Sequence, residues 1–196
     1  RNRNSGLTIS TEQVAKVTGA PRRNVYLYWP LVRRELERKG NGGRKSLTVA
    51  IAVIAVDAPG FKPYLQPKNS VDMTRPTKGN SSIENFEPGD NIKYRRRGLV
   101  PLVGRAEYSF FGTLTHFDLE NDPDLALEPE VAAKIFATMF KIRFIHELAA
   151  KSRWETARIR LTGLSDCMDE YLAIIEKLSM CTWIKTFSKR RRRNAG

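Results

Sequence analysis

The run from Leu47 to Val56 carries no charged residue, and its one polar side chain is that of Thr48. A stretch with no polar face must be covered on every side, which places it at the centre of a packed domain. Its β-branched residues Val49, Ile51, Val53, Ile54 and Val56 favour a strand. Ser46 in front of it favours a capped helix. A continuous apolar run has no period with which to choose between the two. The run is also the longest of its kind, and it falls well short of the ~20 residues that span a bilayer, so no integral membrane segment is expected.

A chain of 196 residues suits one domain with a tail, long enough to bury a sizeable core. With 41% hydrophobic and 28% charged residues, a wholly disordered chain is excluded. The net charge is +13, and five of the cations form one block, Lys189, Arg190, Arg191, Arg192 and Arg193. Such a surplus attracts polyanions: nucleic acid, anionic wall polymers or acidic membrane surfaces. The two cysteines, Cys167 and Cys181, make no disulfide framework and are read as free, partly buried thiols. His116 and His146 stand apart from any Cys-x-x-Cys spacing, so neither a structural zinc nor any cofactor is expected. No apolar signal-peptide core follows Arg1, and this terminus sets no compartment.

Residues 1–6 read as a loose lead-in, 7–180 as the folded domain and 181–196 as a basic C-terminal tail. Ser10 and Gln13 form a capping-box pattern that opens a short helix, closed by Gly19 and Pro21. Asn24 is placed to cap a second helix, in which Pro30 requires a bend or a late start. Lys39 to Lys45 reads as a Gly-rich loop. Pro59 to Asp90, rich in Pro, Gly, Asn and Ser, reads as a long irregular segment with at most a short hairpin. Loops of that length are usually functional, which makes it the place to seek a cleft. Pro129 opens a helix to Lys141, continued over Ile142 to Ala150, and Asp166 to Ser179 is a further amphipathic helix. The balance is mainly α.

Gly19-Ala20-Pro21, Asn24-Val25 and Trp29-Pro30-Leu31 are followed by Ile54-Ala55-Val56 and Gly60-Phe61. Then come Pro88-Gly89-Asp90, Tyr94-Arg95, Arg97-Gly98-Leu99, Leu102, Gly104-Arg105-Ala106 and Tyr108. Asn121 to Leu127, Pro129 to Ala132, Trp154, Arg158, Gly163, Asp169 and Ala173 complete the series. In order and spacing these resemble the family 19 glycoside hydrolases of bacteria and phages, the chitinase and endolysin type, from about Leu7 to Leu178. The resemblance implies a mainly α, lysozyme-like, two-lobed domain with a glycan cleft and a long irregular loop or small β-hairpin. It implies that Leu47 to Val56 is a buried helix, because the family's catalytic acid projects from a helix end. It also implies an inverting hydrolysis by two carboxyl groups ~6.5–9.5 Å apart.

This chain departs from the pattern at the chemistry. The general acid, a Glu in the family, falls on Asp57, one methylene shorter. A withdrawal of about 1–1.5 Å costs on the order of a hundredfold in rate. The general base, the Glu of a Tyr-Glu-Gly triplet, falls on Lys78 when counted back from Pro88 without gaps. With a reference pKa of ~10.4, a lysine there is protonated and cannot serve as base. Asp72, Glu84, Glu87 and Asp90 remain alternative carboxylates. Tyr94, Pro101 and Thr162 take the family's cleft positions, where Pro101 replaces a Gln and Thr162 an Asn. Val103 replaces a Thr and Arg96 a Gly. Arg97 and Arg105 match scaffold residues that pair with carboxylates.

Arg95 and Arg96 are therefore the candidates for a polyanion-binding surface patch, along with Lys189 to Arg193, which would take a polyanion or an acidic protein surface. Trp183 and Phe187 precede that block as a docking pair. The expected function is that of a degenerate chitinase- or endolysin-like domain that does not hydrolyse. It would act as a structural or glycan-targeting part of a larger assembly, with cell-wall glycan as ligand and a phage particle or host cytoplasm as setting. The alternatives are an active peptidoglycan or chitin hydrolase with Asp57 as acid, and a basic nucleic-acid-associated protein on a retired hydrolase scaffold.

Overall fold

The computed structural model describes residues 9–70 and 87–193, and for 181–193 the backbone alone. Among them the fold is mainly helical with one small antiparallel sheet. At the N-terminal side, α1 (Thr11–Thr18) opens with the capping box: the Gln13 amide donates to Ser10 Oγ at 3.2 Å and the Ser10 amide to Gln13 Oε1 at 3.0 Å. Gly19 closes it at φ 66°. Helix α2 (Arg22–Arg38) runs through Pro30, which is exposed, so the carbonyl that loses its partner faces water. Asn24 lies inside α2 and caps nothing; its Nδ2 donates instead to the Gly60 carbonyl at 2.7 Å, tying α2 to the turn after the next helix.

That next helix, α3 (Arg44–Asp57), contains the apolar run. Every residue from Ser46 to Ile54 is buried. The strand alternative is thereby excluded: a helix that is apolar all round is stable when other helices enclose it. Here the helices Met168–Arg193 and Ile145–Ala150 pack on it most extensively, with Trp154–Thr162, α1 and α2 beside them. Its N-cap is Gly43, so Ser46 is an interior position and Arg44 and Lys45 belong to the helix, not to a loop.

After α3 the chain forms β1 (Tyr64–Leu65), paired antiparallel with β2 (Arg97–Gly98), Tyr64 opposite Gly98 and Leu65 opposite Arg97. Between them lies α4 (Asp90–Lys93). Helices α5 (Gly104–Thr115) and α6 (Pro129–Ile142) follow, the second with Pro129 in its first turn. The expected continuation through Ala150 is interrupted. Phe144 adopts φ 54° and separates α6 from α7 (Ile145–Ala150). After α8 (Trp154–Thr162), α9 (Met168–Arg193) runs 26 residues. The helix expected to end at Ser179 thus continues through the basic block, with no Gly or Pro to stop it. The side chains of Trp183, Phe187 and Lys189 to Arg193 lie outside the described residues. Among the described residues no helix is long and apolar enough to cross a membrane.

Tyr171, Ile175 and Leu178 anchor α9 in the core, and Arg44 Nη2 donates to the Leu178 carbonyl at 3.0 Å. Deleting 189–196 leaves all of these in place. The unfolding midpoint is therefore expected to move by less than about 2 °C in a thermal scan. A larger loss would assign core packing to the last turns of α9.

Gly112 gives a sharper test. A Cβ there would stand 2.8 Å from the Phe117 carbonyl oxygen and 3.4 Å from the Leu119 nitrogen, both backbone. Helix propensity alone makes Gly→Ala a gain of up to about 1 kcal/mol. Overpacking against fixed backbone reverses the sign, and Gly112→Ala is expected to lose about 1–3 kcal/mol in urea unfolding.

Candidate functional site

Asp57 is the last residue of α3 and opens onto a cavity of about 370 Å³. The end of α3 supplies Val56 and Asp57, the β1 side Tyr64 and Gln66, the turn around β2 Arg96, Val100 and Pro101, and the end of α8 Thr162 and Leu164. Asp57, Pro101 and Thr162 are thus neighbours around one hollow although the chain separates them widely. Lys78, Asp72 and Glu84 lie outside the described residues.

The Asp57 carboxylate is held by an arginine from α8, 101 positions further along the chain. Arg158 Nη2 on α8 donates to Asp57 Oδ1 at 2.9 Å, and both side chains are almost wholly buried, at 1% and 7% exposure. Arg158 Nη1 donates to the Asp166 carbonyl, and the guanidinium lies over the Tyr171 ring, 5.7 Å from its centroid. Asp57 Oδ2 and Arg158 Nε are buried and have no hydrogen-bond partner among the described residues. Burial raises the Asp57 pKa above the ordinary carboxylate value; Arg158 opposes the shift and Asp166 adds to it.

The cavity's other polar groups are mostly committed. Thr162 Oγ1 donates to the Arg158 carbonyl at 2.9 Å and accepts from the Leu164 amide at 3.0 Å. Gln66 Oε1 accepts the Arg96 amide at 3.2 Å, and its Nε2 donates to the Ser70 carbonyl at 3.3 Å. Among the described residues, Asp57 contributes the only carboxylate to the lining.

Tyr94 and Arg95, singled out from sequence, are engaged elsewhere. Tyr94 does not line the cavity: its ring is 1% exposed and its hydroxyl donates to the Glu120 carbonyl at 3.0 Å. Arg95 is not a free surface cation, because its Nε and Nη1 donate to the carbonyls of Gln66 and Ile92, each at 2.9 Å. Glu87 and Asp90 are structural. The Glu87 amide donates to Asp90 Oδ2 at 3.3 Å, and Arg105 bridges both carboxylates. Cys167 is exposed, not partly buried. The scaffold reading of the other two arginines holds. Arg97 is buried, with Nε on Asp124 Oδ1 at 2.7 Å and Nη1 on the carbonyls of Lys93 and Arg95 and on Tyr108.

The Asp57–Arg158 pair was not legible from sequence. The available signal was faint: Arg158 shares a helix face with Trp154 and Leu161, an odd place for a cation unless it finds a buried anion. A second hollow of similar volume lies between Ser109, Thr113, His116 and Glu120. Its acids are taken up, Asp118 by Asn121 and Glu120 by Arg105. No family model matches this chain, and no curated protein matches it.

Two outcomes follow from the buried pair. Arg158→Ala strands the carboxylate in the core and is expected to cost roughly 3–5 kcal/mol in chemical denaturation. The folded state holds the Asp57 proton at pH values where the unfolded chain, with a carboxyl pKa of ~3.9, has released it. Asp57 therefore contributes most below that unfolded value, and its contribution declines as pH rises through the raised folded value. Asp57→Asn is expected to lack this component of the stability–pH slope, measured from pH 3 upward.

Proposed function

We propose that this domain is a glycan-binding relic of an inverting glycoside hydrolase of the family 19, lysozyme-like type. It binds sugar without cleaving it and serves a larger assembly, such as a phage particle, as a structural or targeting part. One observation carries the reading. Asp57, at the acid position on the cavity at the end of α3, is ion-paired to the buried Arg158 and so is not free to act as a proton donor. Inverting hydrolysis needs two carboxyl groups, one to protonate the leaving oxygen and one to activate water across a gap. The positions that the resemblance assigns to the acid, the Gln and the C-terminal cleft wall, Asp57, Pro101 and Thr162, share that cavity. Their meeting supports a common origin with the hydrolases, and the proline at the Gln position supports loss of the chemistry.

A second reading keeps the enzyme active, with Asp57 as general acid. It is favoured by the direction of the Asp57 pKa, which burial raises as an acid catalyst requires. Release of reducing ends from chitin oligomers and from peptidoglycan decides between the two. No release above the buffer blank is expected from the purified full chain. Turnover that disappears in Asp57→Asn would overturn the non-hydrolysing reading.

A further inference from the structure

Arg96 is the one cation among the described cavity-lining residues, and its guanidinium makes no hydrogen bond or ion pair with any described residue. Its neighbours in sequence are spent on the scaffold, Arg95 on backbone carbonyls and Arg97 on Asp124 and three oxygens. Glu107 senses the charge of Arg96, but Glu107 is engaged by the Val103 amide at 2.9 Å and by Arg143 at 3.4 Å. The Asp57 charge is offset by Arg158. The described lining residues together with Arg158 therefore carry a net positive charge whichever protonation state Asp57 adopts.

The Arg96 guanidinium is a planar fork suited to a carboxylate. Tyr64 lines the same cavity with a half-buried aromatic ring, of the kind that sugar faces pack on. Asp57 Oδ2 is buried and stays out of a ligand's reach. A neutral sugar packs on the ring and leaves the arginine solvated only by water, whereas a sugar that also carries a carboxylate serves both.

We infer that the cavity selects a carboxylated glycan over a neutral one, with Arg96 as the residue that reads the carboxylate. This rests on the glycan-binding reading above and narrows it to a substrate class. The carboxylate can come from a lactyl ether on an N-acetylated amino sugar or from a hexuronic acid, and the same chemistry would hold either.

The test is calorimetric titration of the full chain with four saccharides: an N-acetylglucosamine oligomer, a muramyl disaccharide with free lactyl carboxylate, the same disaccharide amidated, and a hexuronic acid oligomer. A charge-assisted hydrogen bond in a partly enclosed site is worth about tenfold or more in affinity. The free-acid disaccharide, the uronic oligomer or both are expected to bind at least tenfold tighter than their neutral counterparts; which of them does so identifies the source. In Arg96→Ala, with the unfolding midpoint matching that of the parent, the preference is expected to shrink to within about twofold. The variant alters one charge in a net +13, so diffuse attraction to the basic surface would survive it. Equal binding of acid and amide, or a preference that persists in Arg96→Ala, would overturn the inference and leave glycan binding standing. No heat of binding with any of the four would overturn both.

Discussion

A helix without a polar face has to be enclosed, and α3 is such a helix from Ser46 to Ile54. Helices α1, α2, α7, α8 and α9 all contact it. Enclosure has a consequence at its C-terminal end. The residue that follows the apolar run is Asp57, and the walls that bury the run desolvate the carboxylate as well. A lone buried carboxylate costs several kcal/mol, so the fold supplies Arg158 from α8. The same pair links the central helix to the C-terminal part of the chain, through Tyr171 beneath the guanidinium and the Asp166 carbonyl beside it.

Two more arginines, each used as a rigid multi-donor bracket, hold the segments on either side of Arg96. Arg97 fills the interior of the turn that closes at Leu102 and pins it to Asp124. Arg105 gathers Glu87, Asp90 and Glu120 around the ring of Tyr94. Much of the basic character near the site is therefore structural and unavailable to a ligand. What distinguishes Arg96 is its lack of such work.

Local signals were read unevenly. The capping box at Ser10 and the proline at 129 hold, needing nothing beyond their own turn, whereas Asn24 and Ser46 fit the N-cap pattern yet lie inside their helices. The helix at 47–56 could not be chosen from its pattern, because a run whose one polar residue is Thr48 fits both elements; resemblance chose it, and the packing explains it. The break at Phe144 had no Gly or Pro to announce it. At the site, Asp57, Pro101 and Thr162 were legible through the resemblance. The Asp57–Arg158 pair was not, because two residues 101 positions apart meet only once α3 and α8 are packed. Tyr94, which the resemblance puts at a cleft position, lies elsewhere: its side chain is buried and its hydroxyl donates to the Glu120 carbonyl.

The hollow at the end of α3 is the proposed glycan site, and amide chemical shifts of the ¹⁵N-labelled chain during titration with an N-acetylglucosamine oligomer test that assignment residue by residue. The largest changes are predicted at Val56, Asp57, Arg96, Val100, Thr162 and Leu164, with Thr113, His116 and Asp118 on the second hollow unmoved. Shifts gathered on the second hollow, or none at saturating oligomer, would contradict it.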